Sequence, residues 1–370
     1  MLIAGVSFLL GGLIQAPAQE QIYRSSEHDY AVEPVVTGLE HPWAVAFLPD
    51  GGLLITERPG RLLRIDATGA RTAVAGLPEI AAAGQGGLLD VIVDPGFAAN
   101  RLIFFSYVER ADGGLRTAVA RAELDRGRLL EVRRIFAMNR ASRGGRHFGS
   151  RLAVLADGDL VIGLGERGQR QRAQDPADHA GSVLRIRTDG SPSPRTAALA
   201  IPGAAAEVFT WGHRNVQGLA IHPETGAVWV HEHGPRGGDE INILRGGANY
   251  GWPVVTFGRE YSGPRIGIGT EAPGMQSPLL HWTPSIAPSG MAFYTGAEFP
   301  RWRGDLFAGA LVGRHLRRVV LRGEEAVEQE VLLDRLAERV RDVRQGPDGA
   351  LWVLTDESDG TLYRITNPDR

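Results

Sequence analysis

Short apolar runs recur along the chain, each followed by a tight polar turn and a second apolar run. The first is Val45–Leu48, then Pro49-Asp50-Gly51, then Leu53–Thr56. The second runs Leu89–Val93, then Asp94-Pro95, then Leu102–Phe105. The third is Leu152–Leu155, Asp157-Gly158 and Leu160–Gly163. The fourth is Gly218–Ile221, His222-Pro223 and Ala227–Val230. Gly290–Tyr294 with Asp305–Gly309 gives a weaker fifth copy, and Val343–Gln345, Pro347-Asp348-Gly349 and Leu351–Thr355 a clear sixth. Asp-Gly after Pro supplies a hairpin turn, so each copy predicts two antiparallel strands. Most copies continue into a third strand, as at Gly60–Ile65 and Gly360–Ile365.

Six such repeats predict an all-β fold, a six-bladed β-propeller with mostly antiparallel four-stranded blades. Radial closure protects the sheet edges that so many strands would otherwise expose. The blades are of unequal length, which places inserted loops on one face, around residues 167–176 and 258–273. No βα alternation is present, so Gly86-Gly87 and Gly144-Gly145 lack the strand–helix setting of a dinucleotide fingerprint.

The N-terminus breaks the pattern. Met1–Ile14 is almost wholly apolar and small, and Gln15-Ala16-Pro17-Ala18-Gln19 follows. This predicts a secretory signal over residues 1–18, with residues 19–370 as a single propeller domain. It implies a periplasmic or secreted protein with no stable membrane insertion after cleavage. Against that, the leading stretch carries no Lys or Arg, and the other reading is an uncleaved apolar strand or anchor.

Composition narrows the chemistry. A net charge of −3 over 370 residues argues against nucleic acid as a partner. There is no Cys, which removes disulfides, thiolate metal sites and cysteine nucleophiles. All 40 Lys+Arg residues are Arg. Any cation that meets a ligand is therefore a guanidinium or a histidine, which favours bidentate grip on carboxylates.

The densest chemistry lies between Thr210 and Pro253. It contains Gly212-His213-Arg214-Asn215, then His231-Glu232-His233-Gly234-Pro235, Asp239-Glu240-Ile241-Asn242 and Asn249-Tyr250-Gly251-Trp252-Pro253. With Gly84–Asp90, His147–Leu152 and Arg339–Val343, these elements resemble, in order, the soluble quinoprotein glucose, aldose-sugar and sorbosone dehydrogenases. The likeness spans about Leu39 to Thr366.

The resemblance implies oxidation of aldoses at the anomeric carbon to lactones, by hydride transfer to bound pyrroloquinoline quinone (PQQ). A small-molecule sugar is then the substrate. An external acceptor, whether quinone, dye or cytochrome, reoxidises the cofactor. The resemblance makes His147 the base and assigns PQQ contacts to Gln85, Arg214, Asn215, Tyr261, Arg339 and Arg341. Arg214 is also placed to stabilise charge developing on the quinone oxygen. Ca²⁺ is the implied metal, held by carbonyls of Gly234-Pro235, with a second site at Glu240 and the carbonyl of Tyr250. A monomer or homodimer is expected.

The residues support this independently at one point. Sugar oxidation needs a base and an electron acceptor, and no side chain accepts hydride. Other readings stand beside it. His147 can be a structural loop residue, Arg214 a brace between blades, Gln85 a turn cap and Tyr261 a packed surface ring. Arg339 and Arg341 alternate on a predicted strand and share a face. His231 and His233 are likewise two apart, but a third ligand for zinc is not evident.

Two departures from the glucose-specific members push toward the aldose-sugar branch. Their fifth-blade Lys is absent, with Arg314 the candidate substitute. Gly165-Glu166-Arg167-Gly168 replaces their Asp-Gln pair, which offers Arg167 either a place near the cofactor or one in solvent. The competing functions are a calcium-dependent lactonase and a non-catalytic ligand-binding propeller.

Overall fold

The computed structural model describes residues 21–370. The expected signal segment lies outside the described residues. The described residues form six antiparallel sheets. The innermost strands are Pro42–Phe47, Leu88–Val93, Gly149–Val154, Val216–Ile221, Pro288–Phe293 and Val340–Gln345. Each packs on the next and the sixth returns to the first, which closes a six-bladed propeller.

The hairpin turns form as the sequence requires. In the first blade the Gly51 N–H donates to the Leu48 carbonyl at 3.0 Å, and Asp50 Oδ1 accepts from Gly52 N at 3.0 Å. Gly51, Gly158 and Gly349 all sit at positive φ, 81°, 86° and 82°, where a side chain would be strained.

Ring closure uses a segment outside the repeat. The sixth sheet takes its outer strands from the N-terminus, Gln21–Arg24 and Asp29–Leu39. Val32 pairs with Ile365 and Ala31 with Thr366, so the two ends of the domain are stitched in one ladder. The apolar core lies between blades. Val45 and Ile55 of the first blade bury against Leu354 and Leu362 of the sixth. Leu54 and Leu62 bury against Val91 and Phe105 of the second.

Every innermost strand is bulged near its start. Pairing slips between Pro42 and Ala44, Leu88 and Val91, Gly149 and Leu152, Val216 and Gly218, Pro288 and Met291, and Val340 and Asp342. A bulge re-aims the side chain it carries. The positions skipped by pairing include Trp43, Asp90, Arg151, Gln217 and Arg341. Trp43, Gln217 and Arg341 line one cavity. Asp90 and Arg151 lie in a charged cluster below it. There Arg151 Nη1 meets Asp342 at 2.9 Å and Asp90 at 3.5 Å, and Arg344 meets the same two carboxylates at 2.9 and 2.8 Å.

Candidate active site

Two adjoining compartments open on the face where the innermost strands begin. The inner one, about 360 Å³, is lined by Trp43, Gln85, Asn215, Gln217, Arg339 and Arg341, among others. The outer vestibule, about 740 Å³, is lined by His147, Arg214, Gly234, Pro235 and Tyr261, among others. Gln85, His233, Ala287 and Val312 border both.

His147 precedes the third blade's innermost strand, at φ 55°. Three contacts fix its loop. Gln85 Oε1 accepts the His147 N–H at 2.8 Å. Arg167 donates to the Gly144 carbonyl at 2.6 Å and to the Arg146 carbonyl, with its guanidinium 3.4 Å from the Phe148 ring centre. A Cβ on Gly165 would run into the His147 carbonyl. Arg167 thus takes neither of the places the sequence offered it: it is buried, and burial pushes its guanidinium down to about 9. Its own backbone at φ 62° folds the side chain back onto the His147 loop.

The His147 ring is oriented from behind. Its Nδ1 lies 2.6 Å from Glu166 Oε1, on a carboxylate that is itself buried. That bond assigns the proton to Nδ1 and leaves the Nε2 lone pair available. Burial lowers the imidazole below its ordinary value, the Glu166 bond pulls it back up, and the Arg214 and Arg146 charges lower it. His147 is therefore neutral at neutral pH. A prediction follows for the titration of this ring, observed by imidazole NMR. Its midpoint is expected below 6.5, and Glu166→Gln, which removes the raising influence, moves it lower still. A midpoint that rises in Glu166→Gln contradicts this account.

On the opposite side of the inner compartment, Arg339 and Arg341 converge on Asp356. Arg341 Nη2 reaches Asp356 Oδ2 at 2.6 Å and Arg339 Nη2 at 3.3 Å. Burial alone would raise the Asp356 carboxyl, but Arg341, Arg339 and Arg58 outweigh it and hold it well below the usual range. Arg341 Nη1 also donates to Gln217 Oε1 at 3.2 Å, while its buried Nε has no partner among the described residues. The two arginines share a side for a different reason from the expected alternation. Arg339 precedes the strand, and the bulge at Arg341 turns that residue inward.

Arg214 crosses the vestibule wall and donates to the carbonyls of His233 (2.9 Å) and Gly234 (2.8 Å). Its backbone N–H is held by Glu232, which also meets His213 Nδ1 at 2.7 Å. Asn215 is buried, and its Oδ1 accepts from Gly149 N at 3.2 Å. Tyr261 is 71% exposed and stands on the vestibule rim.

Beneath Gly234, a small cavity is bordered by Glu232, Glu240, Tyr250 and Thr256. Burial and the neighbouring Glu232 carboxylate raise Glu240. Asn242 Nδ2 spans the two acids at 3.4 and 3.2 Å, and its Oδ1 is buried without a partner. Two crowded carboxylates, an orphaned amide oxygen and nearby carbonyls form an oxygen donor set that suits Ca²⁺. His231 and His233 serve neighbouring carbonyls: His233 Nε2 lies 2.7 Å from Pro288 O and His231 Nε2 3.4 Å from Gly290 O. Among the described residues no three His, Asp or Glu side chains cluster as metal ligands.

Arg314 is set apart from both compartments. It occupies the turn after Leu306–Ala310 at φ 51°, is exposed, and donates to the Ala337 carbonyl at 3.0 Å. The left-handed turn aims it outward, and Val312 borders the compartments in its stead. The sequence reading missed Glu166 and Asp356 as partners of His147 and of the arginine pair. Glu166 stands in a quoted motif and Asp356 directly follows the sixth hairpin, but their roles depend on contacts between neighbouring strands.

Comparison with known proteins agrees with this layout. The glucose/sorbosone dehydrogenase family profile matches residues 39–364. An aldose sugar dehydrogenase of Escherichia coli (strain K12) is 43% identical over 342 residues, covering 90% of this chain and 92% of that protein. The crystal structure of the E. coli soluble aldose sugar dehydrogenase in its apo-form superposes with a TM-score of 0.89 at 41% identity, covering 91% of this chain and 99% of that one. The PQQ-bound aldose sugar dehydrogenase of Streptomyces coelicolor superposes with a TM-score of 0.74 at 28% identity, covering 91% and 98%.

Proposed function

The chain belongs to the glucose/sorbosone dehydrogenase family, and on that premise we propose that it oxidises aldoses at the anomeric carbon to lactones with PQQ and Ca²⁺. One observation carries the reading. A neutral histidine with a free Nε2 borders a compartment joined to one gripped by paired arginines.

The inner compartment fits the cofactor. Its partnerless Arg341 Nε and the Arg339–Arg341 pair suit a planar polycarboxylate. Gln85, Asn215, Arg339 and Arg341 would hold it, with Arg214 and Tyr261 on the vestibule side. The carbonyls of Gly234 and Pro235 would hold one Ca²⁺, for which the Arg214 guanidinium would have to release the Gly234 carbonyl, and Glu240 with the Tyr250 carbonyl a second. Bound PQQ supplies the two-electron acceptor that no side chain provides.

His147 takes the proton of the anomeric hydroxyl at Nε2. Glu166 keeps Nδ1 protonated and stabilises the imidazolium that forms. Arg214 contributes a fixed positive charge on the same wall, in a site where burial strengthens it. The reoxidant is an external quinone, dye or cytochrome. Read as a secretory signal, the N-terminal apolar run supports a periplasmic or secreted location. Among the described residues no helix is long and apolar enough to cross a membrane.

Arg341→Ala tests the cofactor assignment without turnover. Losing hydrogen bonds to a charged group costs about 1.5–3 kcal/mol, or about 10–150-fold in affinity. PQQ titration followed by tryptophan quenching, with Ca²⁺ present, is expected to show that weakening. Unchanged affinity in Arg341→Ala contradicts the assignment.

A further inference from the structure

The two compartments carry more positive charge than the cofactor accounts for. Six guanidiniums border them, from Arg58, Arg214, Arg236, Arg259, Arg339 and Arg341, against the single carboxylate of Asp356. Asp356 and the three carboxylates of PQQ would set four negative charges against these six, and a Ca²⁺ on Gly234 and Pro235 would widen the gap. The surplus is localised. Arg236 and Arg259 both border the vestibule that holds His147 and are exposed on its lip.

The lip is built with like charges side by side. Arg236 bridges Arg259, and Arg259 bridges Arg265 on its other side, so three arginines occupy successive ladder positions. Like charges directly opposite in a ladder are destabilising. None of the three forms an ion pair among the described residues, whereas the adjacent Glu260 pairs with Arg170 at 2.5 Å. An acid therefore stands within reach in sequence and is drawn to another partner. The lip keeps its guanidiniums unneutralised where they face the reaction compartment.

We propose that this lip binds an anionic substituent at the far end of the sugar, so that the preferred substrates are aldoses bearing a phosphate or carboxylate remote from the anomeric carbon. Guanidiniums grip either group in a bidentate manner. A sugar whose anomeric hydroxyl meets His147 extends its other end through the same vestibule, toward Arg236 and Arg259. The identity of the ligand as an aldose rests on the dehydrogenase reading.

The test compares glucose, glucose 6-phosphate and glucuronate at low ionic strength, with the cofactor-loaded wild type and with Arg236→Gln/Arg259→Gln. The wild type is expected to show kcat/KM for at least one anionic sugar about tenfold or more above that for glucose, as charge-assisted hydrogen bonds imply. The ratio is expected to collapse to about threefold or less in the double variant, and to fall with added salt in the wild type. A preference for glucose 6-phosphate identifies phosphate as the group, and a preference for glucuronate identifies carboxylate. If glucose is oxidised and neither anionic sugar is preferred, the proposal is overturned while the dehydrogenase reading stands. If no aldose is oxidised, the dehydrogenase reading fails and calorimetry decides the lip. Glucose 6-phosphate binding that is lost in the double variant supports it, and no binding overturns it.

Discussion

His147→Ala is expected to lower kcat by about 10²–10⁴-fold, the usual contribution of a positioned general base. Glu166 holds Nδ1 at 2.6 Å, so the ring offers Nε2 to the vestibule in one tautomer. Burial keeps the ring neutral, so the base is ready at neutral pH. The loop is braced through the His147 backbone N–H and the Gly144 and Arg146 carbonyls. None of these braces uses the imidazole, so alanine removes the base without releasing the loop. PQQ affinity in His147→Ala is therefore expected to stay within about threefold of the wild type, a change well under the 1.4 kcal/mol that a tenfold shift represents. Single-turnover kinetics on cofactor-loaded protein separates the two quantities. A variant that binds PQQ and retains more than about a tenth of wild-type kcat contradicts the assignment of the base.

The second large effect concerns stability. Arg151 is 2% exposed and pairs with Asp90 and Asp342 in the core of the ring. Its Nε donates to the Gln217 carbonyl at 2.7 Å and its Nη2 to the Arg341 carbonyl at 3.0 Å. It thereby ties the third, fourth and sixth blades together below the inner compartment. Arg151→Met leaves two buried carboxylates with only Arg344 to oppose them. Breaking a buried pair from one side costs about 3–5 kcal/mol, because the remaining charge stays uncompensated. Urea unfolding should show that loss as a lower midpoint at similar slope. Replacing Asp90 by Asn as well is expected to recover part of it, since Asp342 then pairs one to one with Arg344. A single variant within about 1 kcal/mol of the wild type would remove the network from the account of stability.

These two residues also mark how far the sequence could be read. The propeller was legible because Pro-Asp-Gly punctuation and short apolar runs repeat at the right spacing. The closing strand was not. Asp29–Leu39 carries Pro34 in mid-strand and lies outside the repeat, so nothing local marked it as the outer partner of Gly360–Thr366. The bulges left no trace either, since one extra residue in a six-residue apolar run does not change its composition. Yet the bulges decide which side chains enter the channel.

At the site, the motif reading reached His147, Gln85, Arg214, Asn215, Arg339 and Arg341, all of which border the two compartments. It erred in direction at Arg314 and Arg167. Each sits at positive φ in a turn, where the strand rule for side-chain direction does not apply. Glu166 and Asp356 emerged only with the pairing of strands, because a second partner's role is set by what lies across the ladder.

The central claim is tested most directly by dye reduction. Purified protein stripped of cofactor and metal is supplied with an aldose, before and after addition of PQQ and Ca²⁺. The account predicts activity only when both are present, lowered by about 10²–10⁴-fold in His147→Ala that still binds PQQ. Aldose oxidation without PQQ, or no oxidation of any neutral or anionic aldose by protein that has bound PQQ and Ca²⁺, would contradict it.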